Sequence, residues 1–324
     1  MKLASYKVGG TERFGLSPDD TRLFDLGAAF RRISAVDGAP HTMLDLIESG
    51  DAGLAKLRTA AAQIARDPNG FESLPIASVE VLPPVLRPSK ICCLALNNSA
   101  NADRIMSGPK HPAMFHKPAS ALVGHRGDIE IRPEYGRVHP EPELAVVIGR
   151  TAKNVRAESA YNHVFGYTIH NDITSPTMRA EDTFHYRAIH PKGANSDEIE
   201  YVETWVTYPG RYKGADTFAC MGPWIVTKDD IQNPHALAVK CEHQGRLITE
   251  DNTENLFFKI PEVIAFLSSY TTLLPGDIIS MGTALKKSAK GGAVQNVDLA
   301  KLGGPVSVSI EKIGTLLNGV KKLG

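Results

Sequence analysis

The residues best placed to do chemistry are Glu141 and Glu143, two carboxylates separated by one residue at the mouth of the apolar run Leu144-Ala-Val-Val-Ile148. That run is too short for a helix and rich in β-branched residues, which predicts a buried strand. Strand side chains alternate between faces, so Glu141 and Glu143 point the same way as Ala145, Val147 and Gly149. Two acids beside small neighbours repel each other unless positive charge lies between them. A hard divalent cation with oxygen ligands answers that need. An isolated Glu-x-Glu more often faces water, so the assignment depends on what else the chain brings. A third acid, Asp172, follows the predicted strand Phe165-Gly-Tyr-Thr-Ile-His170, 29 residues beyond Glu143. Three carboxylate oxygens from two strand ends can hold Mg²⁺ or Mn²⁺ and leave positions for water and substrate.

The elements that must position these acids belong to an ordinary globular chain. Its 324 residues, 42% hydrophobic and 22% charged, suffice for one large domain, or a large and a small one. Lys plus Arg and Asp plus Glu both number 36, so no global field attracts nucleic acid or an anionic membrane. No run reaches membrane-span length and the start, Met1-Lys-Leu-Ala-Ser-Tyr6, has no apolar signal core. Cys92, Cys93, Cys220 and Cys241 form no C-x-x-C pair and read as buried thiols. A cytoplasmic protein is expected.

Residues 1–85 read as a small N-terminal α/β domain. Gly9-Gly10 joins two strand-like runs, and helical spacing appears over Thr42–Glu48 and Leu54–Ala65, the second with Asp51 as its expected N-cap. Leu82-Pro-Pro-Val-Leu-Arg-Pro88, with three prolines, predicts an extended linker and a boundary. Residues 86–324 then alternate many strands with few helices: Lys90–Leu96, Ala236–Glu242 with Arg246–Ile248, Ile278–Met281, and Val306–Ile310 as the last strand. Helices are expected at Ala157–Val164 and Glu262–Tyr270. Residues 174–212 are polar and read as a long functional loop carrying Arg179, His185 and His190.

Taken together, these stretches resemble the fumarylacetoacetate hydrolase superfamily over roughly residues 88–320. The carriers are Glu141-Pro-Glu143-Leu-Ala-Val-Val-Ile-Gly, Gly166-Tyr-Thr with Asn171-Asp172, Lys213 ahead of Asp216-Thr-Phe, Gly222-Pro-Trp, Pro275-Gly-Asp and Gly282-Thr283. The resemblance implies an α+β, mainly β fold: a mixed β-sandwich roll with the small N-terminal domain of the two-domain members, in a homodimer. It implies Mg²⁺ or Mn²⁺ on Glu141, Glu143 and Asp172, Lys213 as the active-site lysine, and Thr283 near the substrate carboxylate. The implied substrate is a small 2-oxo or 2,4-dioxo acid, reacting through a metal-stabilised enolate.

The departures from the family pattern bear on the reaction. Asn97 is kept, but Asn98, Asn101 and Arg104 stand where many relatives carry tyrosine, histidine and glutamate. The His–Glu pair that activates water is therefore missing, and an amide is no general base near neutral pH. Pro176 and Arg179 replace an arginine and a glutamine after the third acid. Arg104 and Arg179 suit a second anionic group on the substrate, since guanidinium matches carboxylate geometry. Hydrolytic C–C cleavage of an acylpyruvate-like compound is the first expectation. Isomerisation, hydration or dehydration through the same enolate is the alternative, and a non-catalytic metabolite-binding relative the third reading. His185 or His190 would have to supply a substitute base if hydrolysis is retained.

Overall fold

A computed structural model of the chain describes residues 1–33, 39–100, 105–106, 108–194, 196–285 and 293–324. Among the described residues, twelve strands form one mixed sheet and five form a second. The architecture is the expected β-dominated α+β. The middle of the large sheet runs Ala219–Thr227, Val164–Asp172, Pro142–Ile148, Ile278–Ser280, Ile91–Ala95 and Ala113–Lys117, side by side in that order.

The alternation predicted for Pro142–Ile148 divides the protein's interior. Leu144, Val146 and Ile148 pack in one core with Val239, Val308 and Leu316 of the second sheet. Ala145 and Val147 pack in another with Leu26, Leu46 and Leu57 of the N-terminal helices. Period two therefore assigns each face of one strand to a different partner layer. Glu141 and Glu143 share the face of Ala145 and Val147, at the strand end.

The N-terminal residues are woven into the same sheet. Lys2–Val8 and Thr11–Ser17 form the hairpin signalled by Gly9-Gly10, and Lys2 and Leu3 pair with Val226 and Ile225. The Leu82–Pro88 segment is packed: Val85 is buried and Pro84 O accepts from Ser5 Oγ at 2.7 Å. Asp277, fully buried in the Pro-Gly-Asp turn, accepts from Ser89 Oγ at 2.6 Å and from Leu274 N at 2.7 Å. It fixes where Ile278–Ser280 begins.

Four expectations need correction. Residues 174–212 hold regular structure: a helix at Pro176–Glu181, a hairpin of Thr183–Pro191 with Ile199–Thr207, and a short helix at Gly210–Gly214. The hairpin is a two-stranded ribbon exposed on both faces, and large apolar side chains such as Phe184, Ile189 and Trp205 stand exposed on it among its charged residues. The helix spanning Leu54–Ala65 begins at Gly50, so Asp51 lies inside its first turn. Val306–Ile310 is followed by a further strand, Gly314–Lys322, which pairs with it and with Asp128–Ile131. Ala157–His163 is a 3₁₀ helix.

Candidate functional site

The three acids converge as their spacing predicts. Ligand oxygens of Glu141, Glu143 and Asp172 all lie within 4.8 Å of one another. The register explains it: Pro142 pairs with Asn171 and Glu143 with His170, so Asp172, next along its strand, comes beside Glu141, whose carbonyl accepts from Asp172 N at 2.8 Å. Glu143 and Asp172 are each 1% exposed, below the floor of a cavity of about 660 Å³. Glu141, Lys213 and Thr283 face that cavity.

Lys213, on the Gly210–Gly214 helix, is nearly buried. Its Nζ lies 2.7 Å from Glu141 Oε2, from Asp172 Oδ2 and from Thr174 Oγ1, and 4.9 Å from the centre of the Phe115 ring. Burial alone would lower its pKa, but Asp172, Glu141 and Glu143 outweigh that and raise it. It is a fixed cation, not a base.

A second ammonium lies behind it. Lys117 is fully buried; its Nζ lies 2.7 Å from Asp172 Oδ1, 3.1 Å from Ile173 O and 2.7 Å from Phe218 O, and it also donates to Lys213 O. From sequence, Lys117 is assigned no role. Its same-face spacing with Phe115 was the available signal.

Glu143 receives neutral donors only: Ser280 Oγ at 2.5 Å and Gly282 N at 3.1 Å on Oε2, and Thr283 Oγ1 at 3.0 Å on Oε1. Gly282 has φ +96°, and a Cβ there would fall 2.9 Å from Asn97 Cβ, so glycine is required for that N–H to reach the acid. Burial, then Asp172 and Glu141, push the Glu143 carboxyl up to about 8. Glu141 is pulled the other way. Burial raises it, but Lys213 and a hydrogen bond from His139 Nε2 to Oε1 at 3.1 Å hold it well below the usual carboxylate range.

His139 lines the cavity, and sequence reading missed it although it lies one strand period before Glu141. His170, directly across from Glu143, is fully buried, and burial lowers it to about 3.

The other expected residues fall out unevenly. Arg179 is exposed on the cavity wall. Asn97 also lines it, but its side chain is committed to backbone, donating to Phe258 O at 3.0 Å and Met281 O at 2.8 Å and accepting from Phe258 N at 2.7 Å. Its geometry is that of a brace between loops. Arg104 and Asn101 lie outside the described residues. His185 and His190 sit on the exposed hairpin, away from the cavity wall. His185 stacks on Trp205, with ring centres 4.5 Å apart. Only the hairpin's base, Thr207, and the adjoining Pro209 line the cavity.

Among the described residues, three acids meet two ammoniums at the floor of the cavity. The donor set is all hard oxygen, and Glu143 is the acid pushed toward its protonated form, by burial first and then by Asp172 and Glu141. These residues fit a divalent cation. With that geometry established, the relatives decide the lineage. Residues 90–321 match the fumarylacetoacetate (FAA) hydrolase C-terminal family. The chain belongs to this family. It is 34% identical over 282 residues to "Oxaloacetate tautomerase FAHD2B, mitochondrial" of Bos taurus, covering 87% of this chain and 80% of that protein. It is 30% identical to "Oxaloacetate tautomerase YisK" of Bacillus subtilis over 328 residues, 99% of this chain and 100% of that one. Its fold superposes on maleylpyruvate hydrolase from Sphingobium sp. SYK-6, solved with manganese(II) and pyruvate, with TM-score 0.71, 26% identity and both chains fully covered.

Members of this family thus include hydrolases and tautomerases of small oxo acids. No helix among the described residues is long and apolar enough to cross a membrane.

Proposed function

We propose that this chain is a divalent-metal-dependent tautomerase of a small 2-oxo diacid, interconverting enol and keto forms of an oxaloacetate-like substrate. The observation that carries the reading is the cluster of three acids and Lys213 under the cavity in a chain without the water-activating His–Glu pair. The tautomerase relatives that match nearly the whole chain support it.

Glu141, Glu143 and Asp172 would hold Mg²⁺ or Mn²⁺. When bound, that cation supplies Lewis-acid polarisation of the 2-oxo group. The chain's own contribution is fixed charge. In the enol-to-keto direction the enol hydroxyl would give its proton to solvent water in the cavity and C3 would take one back from solvent; Lys213 Nζ, already ordered by three oxygens, would stand beside the enolate oxygen between these two transfers and needs no reorganisation to stabilise it. Thr283 Oγ1, at 3.1 Å from Glu141 Oε2 and 3.0 Å from Glu143 Oε1, orders the floor where the substrate carboxylate would sit. Arg179 on the wall suits the second carboxylate. Arg104 is proposed for the same role on sequence grounds. Tautomerisation demands an acidified C–H, and no activated water, which matches the absent pair. Hydrolysis of an acylpyruvate is the second reading, favoured by the full-length likeness to maleylpyruvate hydrolase. A homodimer and a cytoplasmic setting complete the proposal; the exposed Trp205, Tyr201 and Ile189 of the hairpin and the four buried free thiols support them.

The test follows decay of the oxaloacetate enol by absorbance, and acylpyruvate products by NMR, with and without Mn²⁺. The expected result is metal-dependent acceleration of enol decay, lost on chelation and reduced roughly 10²–10³-fold in Lys213→Met with little change in KM. Metal-dependent release of pyruvate from an acylpyruvate, with enol decay unaffected, would replace tautomerisation by hydrolysis.

A further inference from the structure

Glu143 is held from behind by a relay that spans three strands. His170 stands opposite Glu143 on one flank of Pro142–Ile148, and Ser280 stands opposite Ala145 on the other. Their strands are two apart, a separation of roughly 9–10 Å, yet His170 Nδ1 and Ser280 Oγ are 2.7 Å from each other. Ala145, which pairs with Thr168 on one side and Ser280 on the other, has only a methyl group to offer on that face, and the imidazole reaches across it.

Proton counting fixes the direction of the relay. Ser280 Oγ has one hydrogen and lies 2.5 Å from Glu143 Oε2 as well as 2.7 Å from His170 Nδ1. Glu143 Oε2 also accepts from Gly282 N and so serves as an acceptor oxygen; the hydroxyl proton goes to it, and the hydroxyl oxygen accepts from His170. His170 must then carry its proton on Nδ1. Its Nε2 is buried and has no hydrogen-bond partner among the described residues, so the Nδ1–H form leaves no orphaned donor there.

We infer that His170 is a positioning residue for the metal site: its Nδ1–H orients Ser280 Oγ, which with Gly282 N saturates Glu143 Oε2 and leaves Oε1 as the oxygen on offer to a cation. This rests on the metal reading above. The inference also explains why a histidine occupies a fully buried strand position, and why Ala145 is small.

Two measurements test it. Nitrogen-15 NMR of the metal-free protein reads the tautomer directly. A protonated Nδ1 and bare Nε2 are expected; the opposite tautomer overturns the inference. This readout does not depend on metal binding or on any variant folding, so it stands even if wild-type protein fails to bind Mn²⁺, the result that would instead sink the metal reading. Calorimetric Mn²⁺ titration of variants is the second. His170→Phe and Ser280→Ala should weaken Mn²⁺ binding about 10–100-fold, the usual cost of losing a bond to a metal-ligating group. His170→Asn places an amide N–H near the Nδ1 position and should keep most of the affinity, whereas His170→Gln carries it out toward Nε2 and should not. Wild-type affinity in His170→Phe or Ser280→Ala, or equal losses in the Asn and Gln variants, refutes the relay.

Discussion

Replacing Lys117 by methionine probes the site at its least visible support. The side chain is fully buried, and its ammonium meets one carboxylate oxygen and three backbone carbonyls. Methionine fills a similar volume, so the change isolates the charge and its bonds. Asp172 Oδ1 loses the ion pair at 2.7 Å, while Asp172 Oδ2 keeps Lys213. Phe218 O keeps a second donor, Ile173 N at 3.0 Å, so not every carbonyl is stranded. Breaking a buried pair by removing one partner costs about 3–5 kcal/mol, most of it the penalty for the charge left behind. Each carbonyl left without a donor adds about 1–3 kcal/mol, offset where the backbone shifts or water enters. We expect Lys117→Met to lose at least about 3 kcal/mol of unfolding free energy, a large share of the 5–15 kcal/mol typical of a domain. Urea denaturation of the metal-free protein, followed by far-ultraviolet circular dichroism, measures it. Mn²⁺ affinity should fall as well, because Lys117 ties Asp172 to the Lys213 helix and to the turn at Phe218. A stability loss below about 1 kcal/mol would show that Lys117 is not the ionic support described here.

Other outcomes follow from the same geometry. Glu143→Gln should weaken Mn²⁺ binding by two orders of magnitude or more in calorimetry, yet leave the metal-free protein at least as stable, since it removes a charge that burial and two neighbouring acids disfavour. The sign of its pH dependence is fixed. A carboxyl raised to about 8 favours the protonated folded form, so metal-free stability should fall as pH rises from the ordinary carboxylate range through 8, and the Gln variant should lack that part of the slope. Mn²⁺ binding should release most of a proton at pH 7 and less above pH 9, readable from calorimetry in buffers of different ionisation enthalpy. His185→Ala and His190→Ala, on the exposed hairpin, should leave turnover within about twofold of wild type; loss of activity in either would place a catalytic base on that ribbon.

How much of this was legible depended on whether a signal is local in sequence. Period two along Pro142–Ile148 is local, and it correctly put Glu141 and Glu143 on one face. The same logic, carried one step back, would have found His139. Cross-strand register is not local. Nothing in residues 164–172 or 278–283 announces that His170 and Ser280 will meet above Ala145. Lys117 hid for a different reason: a lysine before a proline reads as a surface residue, and only the convergence of Ile173, Lys213 and Phe218 carbonyls makes its burial affordable. The Thr183–Pro191 and Ile199–Thr207 hairpin reads as a loop through its many charged residues, yet Phe184, Tyr186 and Ala188 alternate with His185 and Arg187, and that period of two was the available signal.

The same distribution of partners locates where a cation would act most strongly. Asp172 is ion-paired with both Lys117 and Lys213, and Glu141 with Lys213, and Glu141 also accepts from His139. Among the described residues Glu143 has a serine hydroxyl, a threonine hydroxyl and a backbone N–H, and no cation bonded to it. Two of the acids therefore carry their own counter-charge, and the uncompensated unit gathers on the third. Near neutral pH, where Glu143 keeps its proton, a divalent ion that displaces that proton would take the net charge from about zero to plus one. That added charge matters for a dianionic substrate. Without the ion the floor offers a carboxylate no net attraction; with it, the floor and Arg179 present positive charge to both ends of a 2-oxo diacid. Metal dependence should thus appear in substrate binding as well as in turnover. Retained binding of oxaloacetate by the metal-free protein at unchanged affinity would contradict this electrostatic account, even if the chemical step proved metal-dependent.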